Sequence, residues 1–232
     1  MIDDRRIFVV VPARDEGRFV TRVVRTMPDF VDGVVVVDDG SADDTGACAM
    51  VAGAVVVRRD RDHGVGAAIV AGYRRALDEG ADVVAVMAGD AQMDPADLWA
   101  VVTPVVRGET DYVKGNRFAH PRARDMPLHR RLGSAALARV TSVAAGATFR
   151  DSQCGYTAIS ARCLEGLDLD RVWPRYGYPN HLLIALAAGG WRVTEVPVRP
   201  VYGDEQSGLR PRHLVLILGV IGRAYVLTRR SA

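Results

Sequence analysis

Four short runs of apolar, mostly β-branched residues alternate with helical segments in the first half of the chain, and this alternation constrains the fold most. The runs are residues 7–11, 34–37, 54–57 and 83–87. Each is followed by a segment with the apolar spacing or the capping signals of a helix. Strands that alternate with helices of this length predict a mostly parallel sheet with helices on both faces, which is an α/β fold.

The pattern in the second half of the chain is less regular, but strands and helices are still predicted there. Five further elements are predicted: strands at 111–114, within 151–160 and at 192–198, and helices at 131–145 and 182–188. No internal repeat and no low-complexity linker separates the two halves. We therefore predict a single domain with three parts, residues 1–110, 111–212 and a C-terminal helix at 213–232.

The fourth run ends in a turn that carries an acid and an amide. Residues 88–92 read Ala-Gly-Asp-Ala-Gln, so Asp90 and Gln92 lie two residues apart at a strand tip. Their hard oxygen atoms suit Mg²⁺ or Mn²⁺ that also carries substrate phosphates. A second carboxylate would be expected at position 88, where the chain has Ala88. We predict a metal site at Asp90 and Gln92, with loss of metal dependence as the rival interpretation.

All four predicted strand ends of the first half carry polar side chains. These ends are residues 12–17, 38–41, 58–62 and Asp90. The carboxyl ends of parallel strands lie at one edge of a sheet, and such edges bind ligands in open α/β folds. A single end of this kind is equally explained by helix capping, for example by Ser41 before a helix at 45–51. Four ends together predict a ligand site.

Composition limits the classes of function. The chain has 232 residues, of which 49% are hydrophobic and 25% charged, as in a soluble globular domain. The formal net charge of +2 gives no argument for nucleic acid as a partner. Cys48, Cys154 and Cys163 show no CxxC spacing, which indicates a reducing compartment. The first residues lack a signal-peptide pattern, so a cytoplasmic location is expected.

The C-terminal segment has two interpretations. Residues 214–227 are nearly all apolar, but they are too few for a membrane span of about 20 residues, and they include Arg223. One interpretation is a terminal helix that docks on the core. The other is a helix that lies on an anionic membrane surface, with residues 213–230 as the contact.

Three segments in fixed order resemble glycosyltransferase family 2. They are residues 9–16, residues 36–45 and the turn at Asp90. The resemblance implies a GT-A fold, which is Rossmann-like, with a nucleotide-binding first half and an acceptor-binding second half.

Later segments are similar to the dolichyl- or polyprenyl-phosphate sugar synthase branch of that family. They are residues 151–156, 195–198 and 202–207, and the whole resemblance covers about residues 6–212.

The resemblance implies roles for residues of the first half. Nucleoside binding falls on the strand ends, and a carboxylate there can accept hydrogen bonds from a base or a ribose. Two glycines would let the start of a helix approach the diphosphate, although close packing explains them equally. The implied nucleotide-binding residues are Pro12, Ala13, Glu16, Asp39, Asp43, Gly64 and Gly66.

In the second half the resemblance implies an anion site. Arg117, Arg131 and Ser134 would hold the acceptor phosphate, because guanidinium groups suit phosphate oxygens. We expect the neighbouring Arg130 to be a solvated charge.

Asp151 and Gln153 would face the sugar and the nucleophile, in the catalytic set with Arg117 and Arg131. For a phosphate acceptor Asp151 would position groups, whereas for a hydroxyl acceptor it would be the general base.

A polar stretch at 202–213 resembles the family's mobile loop near the donor. Arg210 and Arg212 would form a lid over the diphosphate and exclude water from it. An ordinary surface loop is the alternative.

Together these features predict an inverting glycosyltransferase. The predicted donor is a UDP- or GDP-sugar, the acceptor a polyprenyl phosphate, and the cofactor Mg²⁺ or Mn²⁺. Two alternatives are a soluble glycosyltransferase that acts on a hydroxyl of a small molecule or glycan, and a non-catalytic nucleotide-sugar binding protein. A peripheral contact at the inner face of the cell membrane is expected for the first case. No nucleic-acid partner is expected, and a homo-oligomer is left open.

Overall fold

The computed structural model describes residues 1–201 and 211–230, with the backbone alone described for 211–214 and 228–230. Within these residues seven strands form one sheet. The strands are β1 Ile7–Ala13, β2 Gly33–Asp38, β3 Val55–Arg58, β4 Val83–Val86, β5 Tyr112–Asn116, β6 Thr157–Ser160 and β7 Val193–Pro197. Their order across the sheet is β3-β2-β1-β4-β6-β5-β7.

Helices connect and cover the strands. They are α1 Gly17–Arg25, α2 Thr45–Val51, α3 Val65–Asp78, α4 Leu98–Val106, α5 Leu128–Ala145, α6 Ala161–Gly166, α7 Tyr178–Ala188 and α8 Pro211–Arg230. Short 3₁₀ turns lie at Pro95–Asp97, Arg117–Ala119, Pro121–Asp125 and Leu169–Arg171.

The central strands are apolar on both faces because both faces are covered. Alternate residues of β1 belong to different cores: Val9 packs with α1, α2 and α4, and Val10 packs with α3, α6 and α7. A parallel strand buried on both faces reads as a continuous apolar run, as the first half of the sequence does. The predicted α/β fold with helices on both faces is therefore confirmed.

One strand breaks the parallel pattern. β1 pairs in parallel with β2 and β4, and β5 pairs in parallel with β7, but β6 runs antiparallel between β4 and β5. The residues that precede β6 therefore reach the same edge of the sheet at which the parallel strands end. The reversal brings residues 151–156 beside the strand tips of the first half.

A third cluster joins the C-terminal helix to the domain. Leu137 of α5, Ile184 of α7, and Ile217 and Ile221 of α8 are buried against one another. α8 is therefore docked on the core along one face, in agreement with the first interpretation of this segment. Within the ranges that the structure describes, no helix has both the length and the apolar character needed to cross a membrane.

The prediction that Ser41 caps the helix at 45–51 was wrong. α2 begins at Thr45 with Asp44 at its N-cap, so Ser41 lies too early to cap it. The Ser41 hydroxyl instead accepts the N–H of Asp15 (3.0 Å), and the Ser41 N–H donates to Asp38 (2.9 Å). Ser41 thus joins the tips of β1 and β2.

Two helices begin earlier than the apolar spacing predicted. α5 begins at Leu128 directly after Pro127, and α7 begins at Tyr178 with Pro179 in its first turn. Proline is tolerated there because the first N–H groups of a helix have no partner within the helix.

Gly72 sets the distance between α3 and β1, and its substitution tests this packing. A Cβ at Gly72 would clash with Cγ1 of Val10, whereas a Cβ at Gly222 of α8 meets no atom within 4 Å among the described residues, apart from its own helix backbone and chain neighbours. Overpacking a core costs about 1–3 kcal/mol, while replacing a helical glycine with alanine contributes up to about 1 kcal/mol. We expect Gly72→Ala to lower the free energy of unfolding and Gly222→Ala to raise it, measured by urea denaturation. Equal gains for both variants would contradict the close approach.

Candidate functional site

Two adjoining cavities lie at the edge where the parallel strands end. The large cavity, about 710 Å³, lies among the ends of β4 and β5, the turn before β6, and helices α5, α7 and α8. The small cavity, about 370 Å³, lies at the tips of β1 and β2 and the start of α3. Their linings share Pro12, Val65, Ala88, Asp90 and Tyr176, so they are two parts of one cleft.

The structure brings five of the predicted nucleotide-binding residues to the small cavity. They come from the tip of β1, the tip of β2 and the turn before α3, as the topology of a parallel sheet requires. These residues are Pro12, Ala13, Glu16, Asp39 and Gly64.

Asp39 holds the turn that begins α3. It is almost fully buried, and its carboxylate accepts the N–H groups of His63 (3.2 Å) and Gly64 (2.9 Å). The Arg59 guanidinium lies 3.3 Å away and compensates the charge. Gly64 adopts a φ of +99°, which favours glycine, and a Cβ there would meet Pro174 at 2.5 Å. The turn is therefore rigid before any ligand enters.

Two further residues that were predicted to bind the nucleotide, Asp43 and Gly66, make contacts within the protein. Asp43 accepts the N–H of Gly17 (3.0 Å) and of Thr45 (2.9 Å), which ties the start of α1 to the start of α2. Gly66 faces the polypeptide, because a Cβ there would lie 2.2 Å from the carbonyl oxygen of Trp173. Neither residue is among those that line the small cavity in the described part of the chain. The structure shows for Gly66 the close packing that was its alternative explanation.

The sequence analysis did not predict an ion-pair cluster that lies at the rim of the small cavity. Asp62 lies 2.6 Å from an Arg14 nitrogen and 3.4 Å from an Arg175 nitrogen, and all three residues line the cavity. Partial burial raises the pKa of Asp62, but the two arginines outweigh that effect and hold it below its usual value. Arg175 is 113 residues from Asp62, so no sequence pattern connects them.

The predicted metal turn lies where the two cavities meet. Asp90 lines both cavities, and Gln92 lines the large one. The Asp90 carboxylate accepts the Gln92 N–H at 3.0 Å, and Ala91 between them has a φ of +58°, so the turn is tight. At Ala88 there is no side-chain ligand, and its N–H donates to the Met93 sulfur at 3.3 Å.

This donor set limits how a metal can bind. Among the described residues no three His, Cys, Asp or Glu side chains come together as a metal cluster. One carboxylate and one amide fit Mg²⁺ or Mn²⁺ only if substrate phosphates and waters complete the coordination shell. The residues present therefore fit a metal that arrives with a diphosphate.

Arg117 and Asp151 form a bidentate ion pair at the wall of the large cavity. The Arg117 Nε lies 2.7 Å from Oδ2 of Asp151, and a terminal nitrogen lies 2.9 Å from Oδ1. Asp151 is fully buried, whereas Arg117 lines the cavity. Burial raises the pKa of Asp151, but hydrogen bonds and charge from Arg117 outweigh it and keep the pKa below its usual value. The arrangement favours the positioning role of Asp151 over that of a general base.

Gln153 lines the large cavity in a fixed orientation. Its side-chain amide donates to Oγ of Ser152 (3.0 Å) and to Oδ1 of Asn180 (2.9 Å). The amide of the fully buried Asn180 donates in turn to Thr141 of α5 at 2.7 Å. A polar network thus connects the cavity wall to α5 and α7.

The register of α5 favours Arg130 over Arg131 at the cavity. His129, Arg130, Gly133 and Ser134 line the large cavity along one face of the helix. Arg131 lies about 100° further around the helix and is not among the lining residues in the described part of the chain. The sequence pattern contained the correct signal, since 130, 133, 134 and 137 follow helical spacing, but the helix was predicted to begin only at 131.

Two further cations belong to this site. Arg199 lines the large cavity, and its guanidinium lies 3.1 Å from Asp94. Lys114 is fully buried below the cavity, where its ammonium donates to the carbonyl of Cys154. Burial lowers the pKa of Lys114 to about 8. Arginine side chains therefore line the large cavity, and two of them, Arg117 and Arg199, are paired there with Asp151 and Asp94.

The predicted donor lid cannot be placed. Arg210 lies outside the described residues, as does the side chain of Arg212.

Comparison with known proteins gives the family. The family model described as Glycosyl transferase family 2 matches residues 8–154. The chain is 27% identical over 243 residues to the UDP-N-acetylglucosamine–dolichyl-phosphate N-acetylglucosaminyltransferase of Methanococcus voltae, covering 97% of this chain and 96% of the relative. It is 27% identical over 237 residues to the undecaprenyl-phosphate mannosyltransferase of Micrococcus luteus, covering 97% and 93%.

A solved structure shows the same fold with ligands bound. It is glucosyl-3-phosphoglycerate synthase from Mycobacterium tuberculosis in complex with Mn²⁺, UDP and glucosyl-3-phosphoglycerate, which is 26% identical to this chain. The TM-score is 0.67, and the match covers 98% of this chain and 80% of that one. With a family match over most of the chain, a GT-A sheet and a cleft at the strand tips, this protein is a glycosyltransferase and belongs to glycosyltransferase family 2.

Proposed function

We propose that this enzyme transfers a sugar from a UDP- or GDP-sugar to a polyprenyl phosphate, with inversion at the anomeric carbon. The observation that carries the proposal is the mixed lining of the large cavity. Arg117, Arg130 and Arg199 line it together with the apolar Leu137 and Ile217. A lipid phosphate needs both an anion site and an apolar wall. Two relatives whose names specify dolichyl phosphate and undecaprenyl phosphate support this acceptor class.

The small cavity would receive the nucleoside of the donor. Glu16 and Asp39 contribute carboxylates to it, and these accept hydrogen bonds from base or ribose groups. The diphosphate would then lie at Asp90 and Gln92, where the two cavities meet. A bound Mg²⁺ or Mn²⁺ would neutralise charge on the leaving diphosphate.

The acceptor phosphate would lie against Arg117, Arg130 and Ser134. One of its oxygens attacks the anomeric carbon as the bond from that carbon to the diphosphate oxygen breaks. The attacking group is already an anion, so no proton has to be removed. This agrees with the structure, in which Asp151 is engaged in holding Arg117.

The surface beside the large cavity suits a membrane. α5 and α8 pack against each other, and neither contains an acidic residue. Several large apolar side chains on these helices are exposed: Leu128, Leu132, Val140, Val143, Val215, Leu216, Leu218, Val226 and Leu227. We propose that this face, the α5–α8 face, lies on the anionic inner surface of the cell membrane, from which a polyprenyl phosphate enters the cavity.

A second candidate is transfer to a hydroxyl of a phosphorylated small molecule. The solved relative with glucosyl-3-phosphoglycerate bound favours it, because the same arginines suit the phosphate of a small acceptor. This reaction requires a base for the hydroxyl proton, and Asp151 would have to leave Arg117 to provide it.

Removing the Arg117 side chain tests the acceptor site. Hydrogen bonds to a charged group contribute about 1.5–3 kcal/mol, so we expect Arg117→Ala, which removes the donors to the acceptor phosphate, to lower sugar transfer to undecaprenyl phosphate at least tenfold. Arg122→Ala is the matched control, since Arg122 lies in the next turn and pairs on the surface with Asp125. Transfer of radiolabelled sugar from UDP- and GDP-sugars measures both variants. Undecaprenyl phosphate and 3-phosphoglycerate as acceptors separate the two candidate functions, and unchanged transfer by Arg117→Ala would exclude the assigned role.

Metal binding can be tested without turnover. We expect Mn²⁺ to bind the wild-type protein weakly alone and at least tenfold more tightly with UDP present, because phosphates complete the shell. Asp90→Asn should abolish this difference, and Ala88→Asp should tighten Mn²⁺ binding in the absence of UDP. Isothermal titration calorimetry measures each case.

Asp94→Asn is the control for the metal site. Asp94 lies in the same loop, but its carboxylate caps the turn at Pro95–Asp97. Loss of the UDP-dependent Mn²⁺ binding in Asp94→Asn but not in Asp90→Asn would contradict the assignment.

Vesicle sedimentation tests the α5–α8 face. Leu128 and Leu132 are 67% and 64% exposed, and we expect the double variant Leu128→Glu, Leu132→Glu to lose binding to phosphatidylglycerol vesicles. Val51→Glu is the control, because Val51 is 79% exposed but lies on α2. Equal binding by the double variant and the control would rule out this face as the membrane contact.

A further inference from the structure

We propose that Glu195 of β7 is a positioning residue for the transfer reaction. It holds both members of the Arg117–Asp151 pair in place at once. Glu195 is half-buried and is not among the cavity-lining residues in the part of the chain that the structure describes. Its effect on the reaction is therefore indirect. The inference rests on the proposed function in one respect, namely that Arg117 binds the acceptor phosphate.

One carboxylate oxygen of Glu195 fixes the backbone that carries Asp151. Oε1 accepts the N–H of Arg150 and the N–H of Asp151, each at 2.9 Å. These two donors lie in the segment that leads into β6, 44 and 45 residues away in sequence. The hydrogen bonds hold the segment against β7 at the level of the ion pair.

The other oxygen fixes the backbone that carries Arg117. Oε2 accepts the side-chain N–H of Asn116 at 3.3 Å. The side-chain oxygen of Asn116 accepts the N–H groups of Phe118 (3.0 Å) and Ala119 (3.2 Å), which closes the 3₁₀ turn Arg117–Ala119. Asn116 is buried, and only one orientation of its amide places the oxygen toward the turn and the NH₂ group toward Glu195.

The position requires a carboxylate. Three N–H groups converge on Glu195, and an ionised carboxylate offers two oxygens that only accept hydrogen bonds. A glutamine has one oxygen and one NH₂ group. It would leave either Asn116 or the two backbone N–H groups without an acceptor, and the Asn116 amide cannot flip without releasing the turn at Arg117.

The charges around Glu195 support the same conclusion. Lys114 is the partner of Glu195 in the β5–β7 register, and it lies near Asp151 and Arg117 as well. Two acidic and two basic side chains thus form a compensated group below the cavity wall. Loss of the Glu195 charge leaves this group with an excess positive charge beside the Arg117–Asp151 pair.

The test compares Glu195→Gln with Asp111→Asn. Asp111 is the matched control because it also joins β5 to β7, at the opposite end of the same strands. Its carboxylate accepts the N–H of Arg192 at 3.0 Å, its Nε–H at 2.9 Å and an Nη–H at 3.0 Å. Both variants are expected to lose stability, so stability alone does not distinguish a positioning role.

Two readouts make the distinction. The first is hydrogen exchange of the Arg117 Nε–H, observed by ¹⁵N NMR and assigned with Arg117→Lys. We expect at least a tenfold faster exchange in Glu195→Gln and the wild-type rate in Asp111→Asn. The second is sugar transfer to undecaprenyl phosphate, in which Glu195→Gln should lower kcat at least tenfold while the Kd for UDP stays within twofold.

An unchanged Arg117 signal in Glu195→Gln, or an equal change in Asp111→Asn, would overturn the proposal. If Glu195→Gln does not fold, the same two measurements are made on Glu195→Asp. That variant keeps the charge but shortens the side chain by one methylene. If the wild-type enzyme transfers no sugar to a polyprenyl phosphate, the proposed function fails, and the exchange rate of Arg117 still decides whether Glu195 positions it.

Discussion

The reversed strand β6 is the constraint on which the rest of the site depends. It runs antiparallel between β4 and β5, so the chain must enter it at the edge where the parallel strands end. Residues 151–156 are held at that edge for this reason, and Asp151 meets Arg117 although they are 34 residues apart in the chain. Entry from the other edge would place this segment roughly 13 Å away, the length of a four-residue strand. Asp151 could then not hold Arg117 at the wall of the large cavity.

The Arg117–Asp151 pair, which this topology brings together, limits the chemical role that Asp151 can have. Removing two charges from water costs several kcal/mol for each ion, and only good geometry with further hydrogen bonds offsets the cost. Asp151 meets that condition, because its carboxylate also accepts the N–H groups of Arg117, Gln153 and Cys154. A carboxylate used in this way holds an arginine in place but is poorly suited to take a proton. This agrees with the proposed acceptor, which is already an anion.

The proposed donor site is centred on the junction at Asp90. Parallel strands bring the tips of β1, β2 and β4 together, and the turn at Asp90 lies where the small and large cavities meet. Because the chain has Ala88 where a second carboxylate was expected, the proposed metal site needs the donor diphosphate to complete it. Under this proposal, binding of the metal and binding of the donor are coupled.

The sequence by itself determined the α/β sheet, the edge that carries the site, and the polar residues Glu16, Asp39 and Asp90 at the strand tips. These follow from local rules, since apolar periodicity predicts elements and parallel topology aligns their ends. Only the tertiary structure decided that Gly66 packs against the backbone at Trp173, that Arg130 and not Arg131 lines the cavity, and that Glu195 reaches both sides of the ion pair. Each of these depends on helix register or on contacts between residues far apart in the chain. Such contacts leave no periodic signal, because their partners are chosen by the packing of the whole domain.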